Sequence, residues 1–439
     1  MTSPGAAPPV LGWRRATDRG DRLLIALLSG SFIFFVFFPY AQLLPLQTDT
    51  QPYALLISIL AVLAVRIRRL PLEILLLLPV LLFSLPLALL GEASLTAVRS
   101  LGNYFSVFLI ACASYVLLKA AGGFSVAAFK AIVVIWFAVG FIQTFFYADF
   151  LVFLTPRAVG TAGLFGRGVV GLSPEPTHYG TYCIFLLILT LLLARVKLLS
   201  RRESAILAAL LVVQITVFAQ SAMTVLLLVL FAGLYVGINF FSLRKLVTSL
   251  VVLALLGGGL AAVLSRGWAP LEATRVYSLL TRLFEDPMLV LMIDQSVNDR
   301  FFHIFFSFYG FFENFGLPHG YTAWTEHVLR LVHQFSPYAW AVSPARIMSG
   351  YGAALFEMGV VALLVPLSLT IALRRFFGSD VRSFLIVAVF LHLVMLTNVP
   401  LAFPLFGFLI GLLAYYVRYG PQALRHQRTE TEVGSSVPA

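Results

Sequence analysis

Charge is what this chain has least of. Only 11% of its 439 residues are charged, against 60% hydrophobic residues and 40 phenylalanines. A soluble domain is about 25% charged, so no water-facing surface could cover this much apolar area, and lipid must be the solvent. Cysteine is nearly missing. Cys112 and Cys183 both sit inside apolar runs, which excludes a disulfide framework and a thiolate metal site. The chain also lacks a GxxxxGK[ST] phosphate loop, an HExxH helix and a GxSxG elbow, so nucleotide hydrolysis, zinc-protease and serine-hydrolase chemistry are not expected. His327 and His333, six apart, match no helical metal pair, and neither metal nor cofactor is expected. Regular polar–apolar alternation is absent too, which disfavours a barrel. The start, "MTSPGAAPPVLGWRRATDRGDR", offers no short apolar core with a small-residue cleavage site, so no cleaved signal is expected.

What the chain has instead is long apolar runs. They predict an all-α, polytopic membrane protein with about twelve spans at 23–44, 52–66, 71–90, 99–118, 126–147, 177–196, 204–219, 221–240, 245–264, 350–373, 382–398 and 401–418. "AQSA" (Ala219–Ala222) marks a tight turn between two short helices. Most of the 30 Lys and Arg fall before the first span, in alternate short loops and after the last span. Both termini are therefore expected in the cytoplasm, and the net charge of +11 reads as topology signals rather than a nucleic-acid surface. The expected organisation is a cytoplasmic segment 1–22, spans one to nine over 23–264 with an outer loop 148–176, a large, partly helical outer loop 265–349, spans ten to twelve over 350–418, and a disordered cytoplasmic tail 419–439. Span pairs show no mirrored Gly/Pro breaks, which argues against an inverted-repeat transporter.

Every base expected on the outer side is arginine: Arg99, Arg157, Arg167, Arg266, Arg275, Arg282, Arg300, Arg330 and Arg346. A guanidinium fork grips phosphate or carboxylate oxygens in pairs and keeps its charge beside lipid, so an anionic ligand such as a lipid diphosphate is expected there. In "SPEPTHYG", Ser173 reads as the N-cap of span six, Pro174 as its first residue and Glu175 as a carboxylate beside the positive helix end, with His178 close by. In "VNDRFFHIFFSFYGFFENFGLPHGYTAW" (Val297–Trp324), Asn298 or Asp299 can cap a helix carrying Arg300, His303 and Ser307 on one face. That helix is expected in the outer interface, its polar stripe turned toward a headgroup or sugar. Glu357 stands two turns inside span ten, where an ionisable group is functional or pairs helices. Glu73 reads as a surface charge. Gly233 and Gly237 form a GxxxG that should draw in a neighbouring helix.

These stretches resemble the O-antigen polymerase family. "RGVVGLSPEPTHYG" is similar to that family's "R…G…EPS-x-Y", and "FAQSAMTVLLLVL" (Phe218–Leu230) to "LTxSRTALLxLLL". The Val297–Trp324 stretch resembles "sGRxxxWxxAlxxxxexPLfGxG", and "SGYGAALFEMGVVALL" resembles "HNxYLqlLxExGixGLL". The motifs come in the family's order across Gly163–Leu364. Two departures stand out. The family's serine-arginine is Ser221-Ala222 here, and the histidine that ligases carry before span ten would fall near Met348 and is missing, which favours a polymerase over a ligase. The resemblance implies a GT-C-like fold and a polysaccharide (O-antigen or exopolysaccharide) polymerase of the bacterial inner membrane. Such an enzyme moves a growing chain from undecaprenyl diphosphate to a lipid-linked repeat unit at the periplasmic face. It implies an undecaprenyl-diphosphate-linked oligosaccharide and membrane lipid as partners, and a chain-length regulator as a further one. By that reading Arg167, Glu175, Arg300 and His303 are catalytic, and Arg157, His178, Tyr179, His319, Arg346 and Glu357 bind substrate. The competing readings are a ligase of the same family and an exporter of saccharide or lipid.

Overall fold

A computed structural model describes residues 19–44, 48, 50–65, 69–91, 94–155, 168–239, 292, 295–397 and 399–434. Among these residues every regular element is helical. Six helices are long and apolar enough to cross a membrane: Leu72–Leu90, Leu95–Ala121, Val126–Phe145, Pro176–Arg195, Arg201–Ala219 and Gly350–Phe377. Four shorter apolar helices accompany them, Leu23–Phe37, Tyr53–Ala64, Met223–Asn239 and Val381–Leu396. The chain is a helical membrane protein. The expected span 245–264 lies outside the described residues.

In chain order the helices are α1 (Arg19–Phe37), α2 (Tyr53–Ala64), α3 (Leu72–Leu75), α4 (Leu78–Leu90), α5 (Leu95–Ala121), α6 (Val126–Phe145), α7 (Pro176–Arg195), α8 (Arg201–Val213), α9 (Ala222–Asn239), α10 (Gln295–Glu313), α11 (Trp324–Gln334), α12 (Gly350–Met358), α13 (Leu364–Phe377), α14 (Val381–Leu396) and α15 (Pro404–Gly434). Serine caps start several of them: Ser94, Ser125, Ser200 and Ser349 each accept a backbone N–H of the first turn, and Ser200 forms a full capping box with Glu203. α7 and α5 lie at the centre. The Trp136 ring stacks on Tyr182 at 4.0 Å, and both donate to the Phe37 carbonyl, at 3.2 and 2.7 Å. That carbonyl is freed where α1 ends, so two buried donors satisfy it from neighbouring helices.

The turn expected at "AQSA" is there. α8 runs into a π-helical stretch (Gln214–Ala219) and Gln220 turns the chain with φ 44° before α9 begins. Ion pairs tie distant helices together. Lys130 pairs with Glu203, Arg195 Nη1 meets Asp380 Oδ2 at 2.7 Å, and Arg375 Nη1 meets Glu73 Oε2 at 2.8 Å. Glu73 is not a surface charge. It is 1% exposed, and its main-chain carbonyl also accepts from Ser368. Among the described residues the GxxxG draws in no helix, and nothing there comes within 4 Å of a Cβ placed at Gly233 or Gly237. α15 continues to Gly434, through the segment expected to be a disordered tail.

The stretch Gly350–Phe377 is not one straight rod. Tyr351 Oη and Thr370 Oγ1 both lie 2.9 Å from the ring nitrogens of His392. Along a straight helix those residues would stand about 28 Å apart, more than a tyrosine, an imidazole and a threonine can bridge. The chain bends at Gly359, which has φ 62° and opens a 3₁₀ turn (Gly359–Leu363). The loop 316–320 satisfies the backbone groups that the bend frees. His319 N–H donates to Phe356 O at 3.0 Å, Gly320 N–H to Glu357 O at 3.1 Å, and Val360 N–H to Gly316 O at 2.9 Å. The stretch is therefore bent, and Glu357 lies two residues before the bend rather than along a straight span. A Cβ on Gly359 would meet the Gly316 carbonyl at 2.2 Å. Gly359→Ala is expected to destabilise by about 2 kcal/mol or more, since backbone strain alone costs about 1–3 kcal/mol. Thermal melting of the purified variant in detergent checks this.

Candidate functional site

The start of α7 is fixed from both sides. Gly171 adopts φ 60° and is clamped by Gln143, which donates to its carbonyl (2.9 Å) and accepts from its N–H (2.7 Å). Ser173 Oγ folds back onto the Val170 and Glu175 carbonyls. The helix starts two residues later than Ser173 and Pro174 suggest: Glu175 is the N-cap residue and Pro176 the first helical one. A residue before proline is pushed out of the α region, and Glu175 is extended at φ −147°, ψ 153°. Its side chain accepts no capping bond. It projects instead, 47% exposed, with Oε2 3.8 Å from Nδ1 of the buried His178. The Tyr40 ring meets the His178 ring edge-on at 5.8 Å.

Two further segments converge on this first turn. The Gln220 turn delivers Ser221, whose Oγ donates to Thr177 Oγ1 at 3.2 Å. Val169 N–H donates to Phe218 O at 2.8 Å, and Gly168 lies so close to Ala219 that any Cβ there would clash with its carbonyl. From far along the chain, Arg300 of α10 donates from Nη2 to Thr177 Oγ1 at 3.3 Å. α10 is anchored for this by its own first turns. Asn298 and Asp299 do not cap it. They lie inside the helix, where Asn298 donates to Tyr338 O at 2.6 Å and accepts from Ala341 N–H, and Asp299 Oδ1 accepts from Ser343 N–H at 2.9 Å. Burial works to raise the Asp299 carboxyl, but His303, the Ser343 N–H and Arg300 hold it below the usual carboxylate range.

Two members of the polar stripe of α10, His303 and Ser307, face inward. His303 is fully buried and stacks on Trp324 at 5.3 Å. Its Nε2 lies 2.9 Å from Asp299 Oδ1, off the line of a hydrogen bond, and its Nδ1 meets no acceptor or donor among the described residues. His303 is therefore enclosed between Asp299 and Trp324 rather than open at the mouth of α7. Ser307 packs against Gly352 and Gly310 against Phe356, so α10 and α12 run side by side. By helical rise, this places Arg300 and Glu357 about 18 Å apart. Glu357 forms a separate cluster, with Oε1 accepting from Ser100 Oγ at 2.8 Å and Oε2 from Tyr104 Oη at 2.6 Å. His319 stacks on Phe356 at 4.3 Å with Nε2 2.9 Å from Gly310 O. Tyr179 points into the core, its Oη on Trp136 O and Gln214 Oε1. Arg346 is exposed in the turn before α12. Arg157 and Arg167 lie outside the described residues, as do Arg266, Arg275 and Arg282.

The residues expected to act together thus divide. Glu175, His178 and Arg300 share the mouth of α7, while Glu357 and His319 brace the bend of α12. Of the two hydroxyls that link the mouth, Thr177 has no role in the sequence reading and Ser221 only that of the family's serine. Their signal is a pair of hydroxyls at a helix start and a helix break. Nor was His392, which ties α12, α13 and α14. The mouth combines one guanidinium, two hydroxyls and the N–H end of a long helix, a donor set suited to phosphate oxygens, with a projecting carboxylate beside it. Among the described residues no group of three His, Cys, Asp or Glu could hold a metal ion.

The loop helices carry their own pH response. His327 Nε2 faces Phe306 O at 3.3 Å and Nδ1 faces Arg330 at 3.1 Å, an arrangement that suits the neutral ring. Burial, with His319 and Arg330, lowers its proton affinity against the opposing pull of Phe306 O and Glu313. The unfolded chain then binds the proton more readily, so the α10–α11 pairing strengthens as pH rises toward and through about 6.5 and weakens below it. Protection factors over 313–334, which divide out the base-catalysed intrinsic exchange rate, should be lower at about pH 5.5 than at about pH 7.5, and His327→Gln should flatten that difference. Searched against protein-family models and against curated proteins, the chain matches none.

Proposed function

We propose that the chain is a metal-independent membrane glycosyltransferase, a polysaccharide polymerase that uses a polyprenyl diphosphate-linked glycan as donor. The observation that carries this reading is the contact of Arg300 with Thr177. It brings the distant loop helix to the first turn of α7 beside Glu175, joining two of the stretches that resemble the O-antigen polymerase family. In the reaction, a sugar hydroxyl of the acceptor repeat unit attacks the anomeric carbon of the donor. The new glycosidic C–O bond forms as the anomeric C–O bond to diphosphate breaks, and the hydroxyl proton passes to Glu175. Arg300 and the α7 N-terminus take up the charge on the departing diphosphate, where a partly dry site makes each donor worth most. Arg167 belongs to this reading by sequence. The energy lies in the donor's anomeric bond, so the step needs no nucleotide.

The same reading places the mouth of α7 on the periplasmic side of a bacterial inner membrane, with about twelve spans and both termini in the cytoplasm. Exposed aromatics support an interface at this end: Phe145 at the end of α6, Phe146, Tyr147 and Phe153 after it, and Tyr338 and Trp340 in the large loop. The test is purified protein with synthetic lipid-diphosphate repeat units. A ladder of lengthening glycans on lipid diphosphate is expected. Transfer of preformed polymer to a different acceptor, with no lengthening, would instead make it a ligase, and movement of repeat units across the bilayer without bond formation would make it a transporter.

A further inference from the structure

The two helices of the large loop, α10 and α11, pack together and show opposite chemistry to their surroundings. α11 turns Trp324, Val328 and Leu331 inward against Phe302 and Phe306 of α10. Outward it exposes Glu326, Arg330, His333 and Gln334, with Leu329 the apolar exception, a face suited to water. α10 does the reverse. His303 and Ser307 are buried. The side opposite His303 carries Phe301, Phe305, Phe308 and Phe312, spaced i, i+4, i+7 and i+11 over about 16 Å. Phe308 leans on the main core, but Phe301 is 46% exposed and Phe312 69%. Glu313 does not cap this row with charge, because it turns to Arg330 on α11. An exposed apolar row of this extent marks a contact with membrane or protein.

What the row joins selects between the two. Phe315 and Leu317 follow it in the turn after α10, both exposed. Gly316, between them, lies so close to Val360 that a Cβ there would meet Val360 Cγ1 at 2.8 Å. Val360, Leu363 and Leu367 are exposed in their turn, and they belong to Gly350–Phe377, a stretch long and apolar enough to cross a membrane. The open apolar face of such a stretch meets acyl chains. One apolar band thus leads from that face to Phe301, next to Arg300. We infer that α10 is bedded in the bilayer, with its phenylalanine row in the acyl chains of one leaflet and the polar face of α11 in water above it. An amphipathic helix so placed sinks its apolar side about 5–10 Å into the bilayer. Lipid is then a third anchor for the helix that carries Arg300, beside Asn298 and Asp299, and sets the depth at which the guanidinium meets Thr177. This placement holds whichever reaction the mouth of α7 performs.

The experiment uses the full chain in lipid nanodiscs. Phe301→Cys, Phe305→Cys and Phe312→Cys each put a nitroxide on the row, and Glu326→Cys and His333→Cys put one on α11. Cys112 and Cys183 are buried and stay unlabelled. Collisions with molecular oxygen, which concentrates in hydrocarbon, are compared with collisions with a water-soluble nickel chelate. Oxygen is expected to dominate at the three row positions, and the order should reverse at the two α11 positions. A second readout uses the unaltered protein and phosphatidylethanolamine with a diazirine midway along one acyl chain. Mass spectrometry of the cross-linked peptides should find 301–317 labelled and 325–334 spared. If a cysteine variant fails to fold, as judged by chromatography, the lipid label decides. Row positions open to the nickel chelate would put α10 in water and overturn the inference. Row positions closed to both reagents and free of lipid label would put a protein, a second copy of the chain or another, on the face, which overturns it as well. The same pattern on α10 and α11 would overturn the waterline between them and the inference with it.

Discussion

Arg300→Ala is expected to leave the protein folded in the membrane and to cut glycan polymerisation by about 10²–10³, the cost of removing one preorganised donor from developing negative charge. The substitution removes the bond to the Thr177 hydroxyl, which keeps Ser221, and a positive charge beside Asp299, which His303 and the Ser343 N–H still hold. The two anchors that place α10, Asn298 and Asp299, do not depend on Arg300. Loss of the side chain therefore removes charge from the mouth of α7 without releasing the helix. Arg300→Lys should recover only part of the activity, because an ammonium offers a point charge where a phosphate rewards a planar fork. The effect should fall on turnover and on affinity for diphosphate, and melting temperature should not move. The measurement is product length on gels from membranes that contain equal amounts of each variant. Chains of normal length from Arg300→Ala would remove Arg300 from the site.

How far this could be read from the sequence depends on how local each feature is. The helical membrane class follows from composition, and the break at Gln220 from a four-residue polar interruption, since both are written in adjacent residues. The start of α7 was legible too, but the wrong proline was chosen. "SPEPT" offers two prolines for a first helical position, and only the second forces its predecessor, Glu175, out of the helix while leaving a long apolar run behind it. The bend at Gly359 was hidden because hydropathy runs smoothly through "FEMGVVALL" and cannot register a backbone angle. The surroundings of Glu357 are equally invisible to hydropathy. Its partners Ser100 and Tyr104 stand 257 and 253 residues away, beyond any periodicity argument. The α10 stripe was correctly placed on one helix face, but which way that face turned depended on Trp324 and α12. The site shows the same division. The chemistry of Glu175, His178 and Arg300 was visible as residue types, while their meeting point at Thr177 needed a contact between residues 123 apart.

The largest effect on stability is expected from Arg375→Ala, about 3 kcal/mol, measured as the loss of folded protein on heating or under denaturant. Glu73 is buried to 1% at the start of α3, and its Oε2 is held by Arg375 Nη1 at 2.8 Å from α13, 302 residues away. Removing the arginine, whose own side chain is 45% exposed, leaves the buried carboxylate without its partner, and that penalty, rather than the attraction lost, dominates. Removing both charges together tests this. Glu73→Leu with Arg375→Ala should regain most of the lost stability, because two missing charges leave nothing to desolvate. Lys130 and Glu203, each more than a third exposed at the same end of the bundle, provide the contrast. Lys130→Ala should cost well under about 1 kcal/mol, as solvent screens exposed pairs. If Arg375→Ala and Lys130→Ala proved equally mild, Glu73 would have to reach water or shed its charge in the folded protein. The double substitution would then gain nothing over the single one.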